Sequence, residues 1–103
     1  LKQLLEQIKS AVMDEYKRAG EKFGAFNNSP HESYAVILEE YEEARSSSVD
    51  FGVSLVKYWE DVKCNNVQAN SRLLGMKQYA EQAAAEWVQV AAMCHKATVS
   101  KEG

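Results

Sequence analysis

Proline occurs once in the 103 residues and glycine only five times, so the chain is poor in the residues that punctuate short strands, and its apolar positions do not alternate at the period of a sheet. This excludes a strand-based fold and leaves long helices. Cysteine is limited to Cys64 and Cys94, with no CxxC pair and no secretion signal ahead of them, which excludes a disulfide framework and a zinc cluster and points to reduced thiols in a cytoplasm. Positive charge is not in excess: 12 Lys and Arg stand against 15 Asp and Glu, a formal net charge of −3, so binding of a nucleic-acid polymer through its phosphates is disfavoured. No apolar run approaches the roughly 20 residues that cross a bilayer, because Glu86 and Gln89 interrupt the longest one, and no membrane partner is expected. A chain this short is one domain, 1–103, with a thin core if its helices are long, and self-association follows as an expectation. Leu1 rather than methionine opens the sequence, and the native start is expected upstream.

What is present repeats at helical spacing. Leu4, Leu5, Ile8, Val12 and Tyr16 form one stripe of a first helix over about Leu1 to Ala19, with Gly20 as its stop. A connector over Gly20 to Asn28 carries Phe23 and Phe26, expected to pack down on the helices. Ser29, Pro30 and Glu32 combine an N-cap, a proline at the first helical position and a glutamate three after the cap, which fixes the start of a second helix. Its stripe is Tyr34, Ile37, Tyr41 and Ala44, and the run Ser46, Ser47, Ser48 predicts a bend or short break. A third segment, capped by Asp50, carries Phe51, Leu55, Trp59 and Val62 and ends near Cys64 to Asn66. The last helix starts between Val67 and Ser71 and runs to about Lys96, with Gly75 as its weak point and a frayed tail from Thr98 to Gly103. The fold class is an all-α antiparallel helical bundle.

Between Ala83 and Cys94 every residue is apolar except Glu86 and Gln89, which lie about 60° apart on one helical face. An ionised carboxylate in such surroundings costs several kcal/mol unless it meets a cation, donors or water, in the range of about 2–7 kcal/mol known for unpaired polar groups and above. In the second helix Glu40 and Glu43 fall about 60° and about 120° from Ile37, bordering the core, while Glu39 and Glu42 point away. Glu40, Glu43, Glu86 and Gln89 would thus bring four oxygen donors together from two antiparallel helices, an arrangement suited to a hard divalent ion such as Mg²⁺.

The run Glu39-Glu40-Tyr41-Glu42-Glu43 resembles the EExxE motif of MazG-type nucleoside triphosphate pyrophosphohydrolases, and Glu86-Trp87-Val88-Gln89 stands in the place of their ExxD motif. Phe26-Asn27, His31-Glu32, the run from Tyr34 to Glu40, and Gln89 to Met93 resemble the small phage and prophage MazG-like proteins in particular. The resemblance implies a homodimer or homotetramer that uses Mg²⁺, or Mn²⁺, to cleave a nucleoside triphosphate into monophosphate and pyrophosphate. Position by position it implies Glu40, Glu43 and Glu86 as metal ligands, with Gln89 where aspartate is usual. Glu39 and Glu40 are the catalytic candidates; Phe23 and Phe26 would stack a base, and Lys22 or Lys57 would reach phosphates.

Other readings stand beside these. The acidic run also reads as a solvated face, and Glu86 also reads as a salt-bridge partner of Arg45 or Arg72. Trp59 and Trp87 read as core or interface residues, and His95 as a favourable charge at a helix C-terminus. No histidine follows a glutamate by three, which argues against a di-iron bundle. A charge-free Gln89 would favour a nucleotide or metal sensor without turnover, and a helical interaction module with Glu86 as a buried specificity element is the third class.

Overall fold

The structure, a computed structural model, describes residues 1–100 and consists of three helices, α1 (Lys2–Phe23), α2 (Pro30–Lys63) and α3 (Ala69–Val99). No strand occurs among the described residues, and no helix among them is long and apolar enough to cross a membrane. Contacts run Ser47 to Glu86 and Asp61 to Arg72 between α2 and α3, but Glu15 to Gln89 and Tyr16 to His95 between α1 and α3. Hence α2 and α3 form an antiparallel hairpin, and α1 lies parallel to α3. Both α1 and α2 pack on α3, with no close backbone approach to each other, so a groove floored by α3 runs between them.

The start of α2 is as the sequence predicts: Ser29 accepts from the Glu32 N–H at 3.1 Å and Pro30 occupies the first turn. The Glu32 carboxylate accepts instead from the Asn28 side chain at 3.0 Å. Two expected interruptions do not occur. Gly20 does not stop α1, which continues to Phe23 and ends at Gly24, whose φ of 92° is a backbone state that glycine adopts without a Cβ penalty.

Nor do Ser46 to Ser48 break α2, which is one helix of 34 residues with Asp50 inside it rather than capping a new segment. Ser48 Oγ donates to the Ala44 carbonyl at 2.9 Å and Ser47 Oγ donates across to α3, so these hydroxyls reinforce the helix instead of competing with it. Gly75 likewise leaves α3 unbroken, and α3 continues past Lys96 to Val99. The expected fraying at Thr98 and Val99 is therefore replaced by helix, Ser100 caps it, and 101–103 lie outside the described residues.

The turn between α2 and α3 is held by buried Asp61, which accepts from Arg72 and from Asn66. Asn65 takes the left-handed conformation at φ 52°, and Asn66 Oδ1 accepts the Gln68 N–H at 2.8 Å. The core is made of small and flexible residues: Ala44, Ala83 and Ala92, with Met76 and Met93. No large side chain is fully buried among the described residues. Tyr34 and Tyr41 of the expected α2 stripe are exposed, as are Leu4, Leu5 and Ile8 on α1 and Leu55, Trp59 and Val62 toward the end of α2. Trp59 and Trp87 are therefore not core residues of the single chain; Trp87 meets Tyr41 edge-on and Trp59 lies under the Lys63 ammonium.

Candidate functional site

The groove between α1 and α2 widens into a cleft of about 630 Å³. Its α2 wall carries Glu32, Val36, Glu39, Glu40 and Glu43, successive positions on one helical face. The facing wall is Arg18, Ala19 and Phe23 from α1, and the floor is Gln89, Met93 and Lys96 from α3, with Asn27 of the connector closing one end.

Glu40 is half-buried in this wall, and its carboxyl is held above the ordinary carboxylate value by burial first, then by the charges of Glu43, Glu39 and Glu86. The acids of the two sequence motifs thus feel one another across the helix pair. Glu39 lines the cleft beside Glu40 and Glu43, against the expectation that it points away, because the cleft lies to one side of the stripe centred on Ile37.

Glu86 meets neither Arg45 nor Arg72. It accepts a 2.5 Å hydrogen bond from Ser47 Oγ, while Arg72 is committed to Asp61. A serine at the α2 crossing point supplies the donor that the sequence pattern assigned to a cation.

Gln89 is drawn the other way. Its Nε2 donates to Glu15 Oε2 at 2.6 Å, and Glu15 also accepts from Arg18 at 2.6 Å. Arg18 and then Gln89 hold the Glu15 carboxyl below its ordinary value. This chain from Arg18 through Glu15 to Gln89 ties α1 to α3, and no sequence motif announced it. The four expected ligands consequently divide: Glu40, Glu43 and Gln89 line the cleft, while Glu86 stands against Ser47. Among the described residues no three Asp, Glu, His or Cys side chains are grouped closely enough to hold a metal ion.

The phosphate and base contacts expected from the connector are partly replaced. Phe23 does line the cleft and is 72% exposed, but Phe26 is 55% exposed without lining it, so neither packs into a core. Lys22 lies over the Phe23 ring at 5.2 Å and does not line the cleft, and Lys57 lies far along α2 beyond it. The cations that do line it are Arg18 and Lys96. Lys96 could have been found from the sequence, since it falls seven residues after Gln89 and so returns to the same face of α3. Arg18 and Asn27 carried no such signal, because their place depends on how α1 and the connector dock. His95 stacks edge-on against Tyr16 with ring centroids 4.6 Å apart, outside the cleft-lining set.

Compared with models of known protein families, with curated proteins and with solved structures, the chain matches none.

Proposed function

We propose that this chain is a Mg²⁺-dependent nucleoside triphosphate pyrophosphohydrolase of the MazG-like kind, releasing monophosphate and pyrophosphate in the cytoplasm as a homodimer or homotetramer. The observation that carries the reading is the division of charge in one cleft: Glu39, Glu40 and Glu43 on α2 face a side bearing Arg18 and Lys96. A polyphosphate accompanied by a divalent ion presents both complementary charges at once, and the cleft has the volume of a small-ligand site.

The donors fit a hard cation in kind, being carboxylate and amide oxygens without sulfur or imidazole, and Mg²⁺ or Mn²⁺ would relieve the repulsion that raises the Glu40 carboxyl. Glu40 and Glu43 would hold it, with the Gln89 oxygen available because its nitrogen is engaged by Glu15, and Glu86 would join them only on leaving Ser47. Bound there, the ion would neutralise phosphate charge and acidify a water molecule. Glu39, exposed on the same wall, would take a proton from an attacking water, and Phe23 would offer a face for a base.

A second reading, a nucleotide or metal sensor without turnover, is favoured by one observation. Where the resembled motif has aspartate, this chain has an amide tied to Glu15.

The experiment is pyrophosphate release from a panel of ribo- and deoxyribonucleoside triphosphates with Mg²⁺ or Mn²⁺. Release by the wild type that is lost in Glu40→Ala and Glu86→Ala supports the hydrolase and names its substrate. Binding without release at high protein concentration turns the reading into the sensor.

A further inference from the structure

At the cationic end of the cleft one buried polar atom has no hydrogen-bond partner and one lysine has no ion-pair partner among the described residues. Lys96 is 6% exposed, lines the cleft, and has no ion-pair partner among the described residues. Arg18, the other cation there, is already paired with Glu15. Asn27 is 4% exposed, and its Oδ1 has no hydrogen-bond partner.

Both residues are fixed in place. The Asn27 side-chain NH₂ donates to Ser33 Oγ at 2.8 Å, so the amide turns its oxygen elsewhere. The Asn27 backbone N–H donates to Ser100 Oγ at 2.8 Å, and that hydroxyl donates to the Lys96 carbonyl at 2.7 Å. The connector is thereby latched to the end of α3, and an unpaired ammonium and an unpaired carbonyl oxygen come to line one cleft. Buried polar groups are ordinarily satisfied, so the Asn27 oxygen is an exception, and the Lys96 ammonium of the same cleft has no counter-charge among the described residues. Neither group is needed to hold the latch, which uses other atoms of the same residues.

We propose that Lys96 and Asn27 form a two-point subsite for a phosphorylated ligand. The Lys96 ammonium takes an anionic phosphate oxygen, and Asn27 Oδ1 accepts a hydrogen bond from an O–H or N–H donor of the same molecule. The subsite rests on the reading of the cleft as a nucleotide site and adds which end recognises the ligand. The glutamates of the opposite wall repel a bare phosphate, so the anion enters with its divalent ion. The donor is either a sugar hydroxyl or a base N–H, and the two are separable by experiment.

Binding is measured calorimetrically on the full chain with Mg²⁺, using inorganic pyrophosphate and non-cleavable α,β-imido ribo- and deoxyribonucleoside triphosphates. Lys96→Met should weaken pyrophosphate binding about tenfold or more, while Lys96→Arg retains most of it. The free Lys96→Met protein should melt at about the same temperature, because the ammonium makes no ion pair within the chain and methionine keeps the packed apolar stem, whereas a structural lysine would lower it. The wild type should prefer one member of a ligand pair differing by a single donor, about tenfold or more. Asn27→Ala should erase that preference with pyrophosphate affinity unchanged, and Asn27→Asp, which keeps an acceptor, should retain it. A ribose-dependent preference identifies the sugar hydroxyl, and a base-dependent one the base N–H. Unchanged pyrophosphate binding in Lys96→Met overturns the subsite, and loss of that binding in Glu40→Gln alone would leave the cleft reading standing. A lowered melting temperature in step with lost affinity also overturns it. The full binding pattern without any pyrophosphate release from natural triphosphates sinks the hydrolase and keeps the subsite.

Discussion

Gln89 shows how a single side chain changes meaning once its neighbours are known. In sequence it is a neutral replacement in an acidic motif, and restoring aspartate there would be expected to tighten Mg²⁺ binding. In the structure its NH₂ is the donor that joins Glu15 of α1 to α3. A carboxylate at this position would face another carboxylate, so Gln89→Asp should destabilise the protein by about 1 kcal/mol, a value that allows for partial solvent screening. Glu15→Gln in the same chain should restore part of the loss, and denaturant unfolding of the two single variants and the double variant measures the coupling. The pH dependence follows from the sign of the Glu15 shift. Its folded-state value is lowered, so its stabilisation is present above the ordinary carboxylate value of about 4.3 and is lost as pH falls through the lowered folded-state value. Melting curves of wild type and Glu15→Gln should therefore differ at neutral pH and converge in acid.

At the scale of elements, the serine run stays helical although its propensity is weak, because Ser47 faces α3 and Ser48 returns to the backbone of α2. Ala44 and Ser47 are small enough for α2 to approach α3, and the hydroxyls of Ser47 and Ser48 find acceptors in the Glu86 carboxylate and the Ala44 carbonyl. Tertiary contact thus converts a predicted break into the middle of a helix about 51 Å long at about 1.5 Å per residue. Ala44 is fully buried at this crossing, so Ala44→Leu should force the helices apart. The expected loss is about 1–3 kcal/mol of unfolding free energy, with far-ultraviolet circular dichroism little changed. A variant as stable as the wild type would mean that the crossing has room that the observed burial denies.

The whole molecule measures 59 × 30 × 22 Å and buries no large side chain completely among its described residues. The far end of the α2–α3 hairpin has no third helix against it, and Val53, Leu55, Val56, Trp59, Leu73 and Leu74 lie open there. This is the physical support for the proposed homo-oligomer, since surfaces of this kind are ordinarily covered. Sedimentation should give a mass of two or four chains, and the melting temperature should rise with protein concentration. Trp59→Glu, which disturbs no core within one chain, should lower both; a monomer with concentration-independent melting would remove the oligomer from the proposed function.

The sequence by itself determined the helical class, the start of α2 at Ser29 and Pro30, and the common face of Glu40 and Glu43 on α2, because capping and the 3.6-residue period are local properties. Tertiary structure decided the rest. It carried α1 past Gly20, carried α2 through its serines, and turned Glu86 to Ser47 and Gln89 to Glu15. It also chose Arg18 and Lys96 over Lys22 and Lys57 as the cations of the cleft. The reason is that a cleft between two helices that meet only through a third depends on where each docks, and docking is fixed by contacts between residues more than 70 positions apart, such as Asn27 with Ser100 and Glu15 with Gln89.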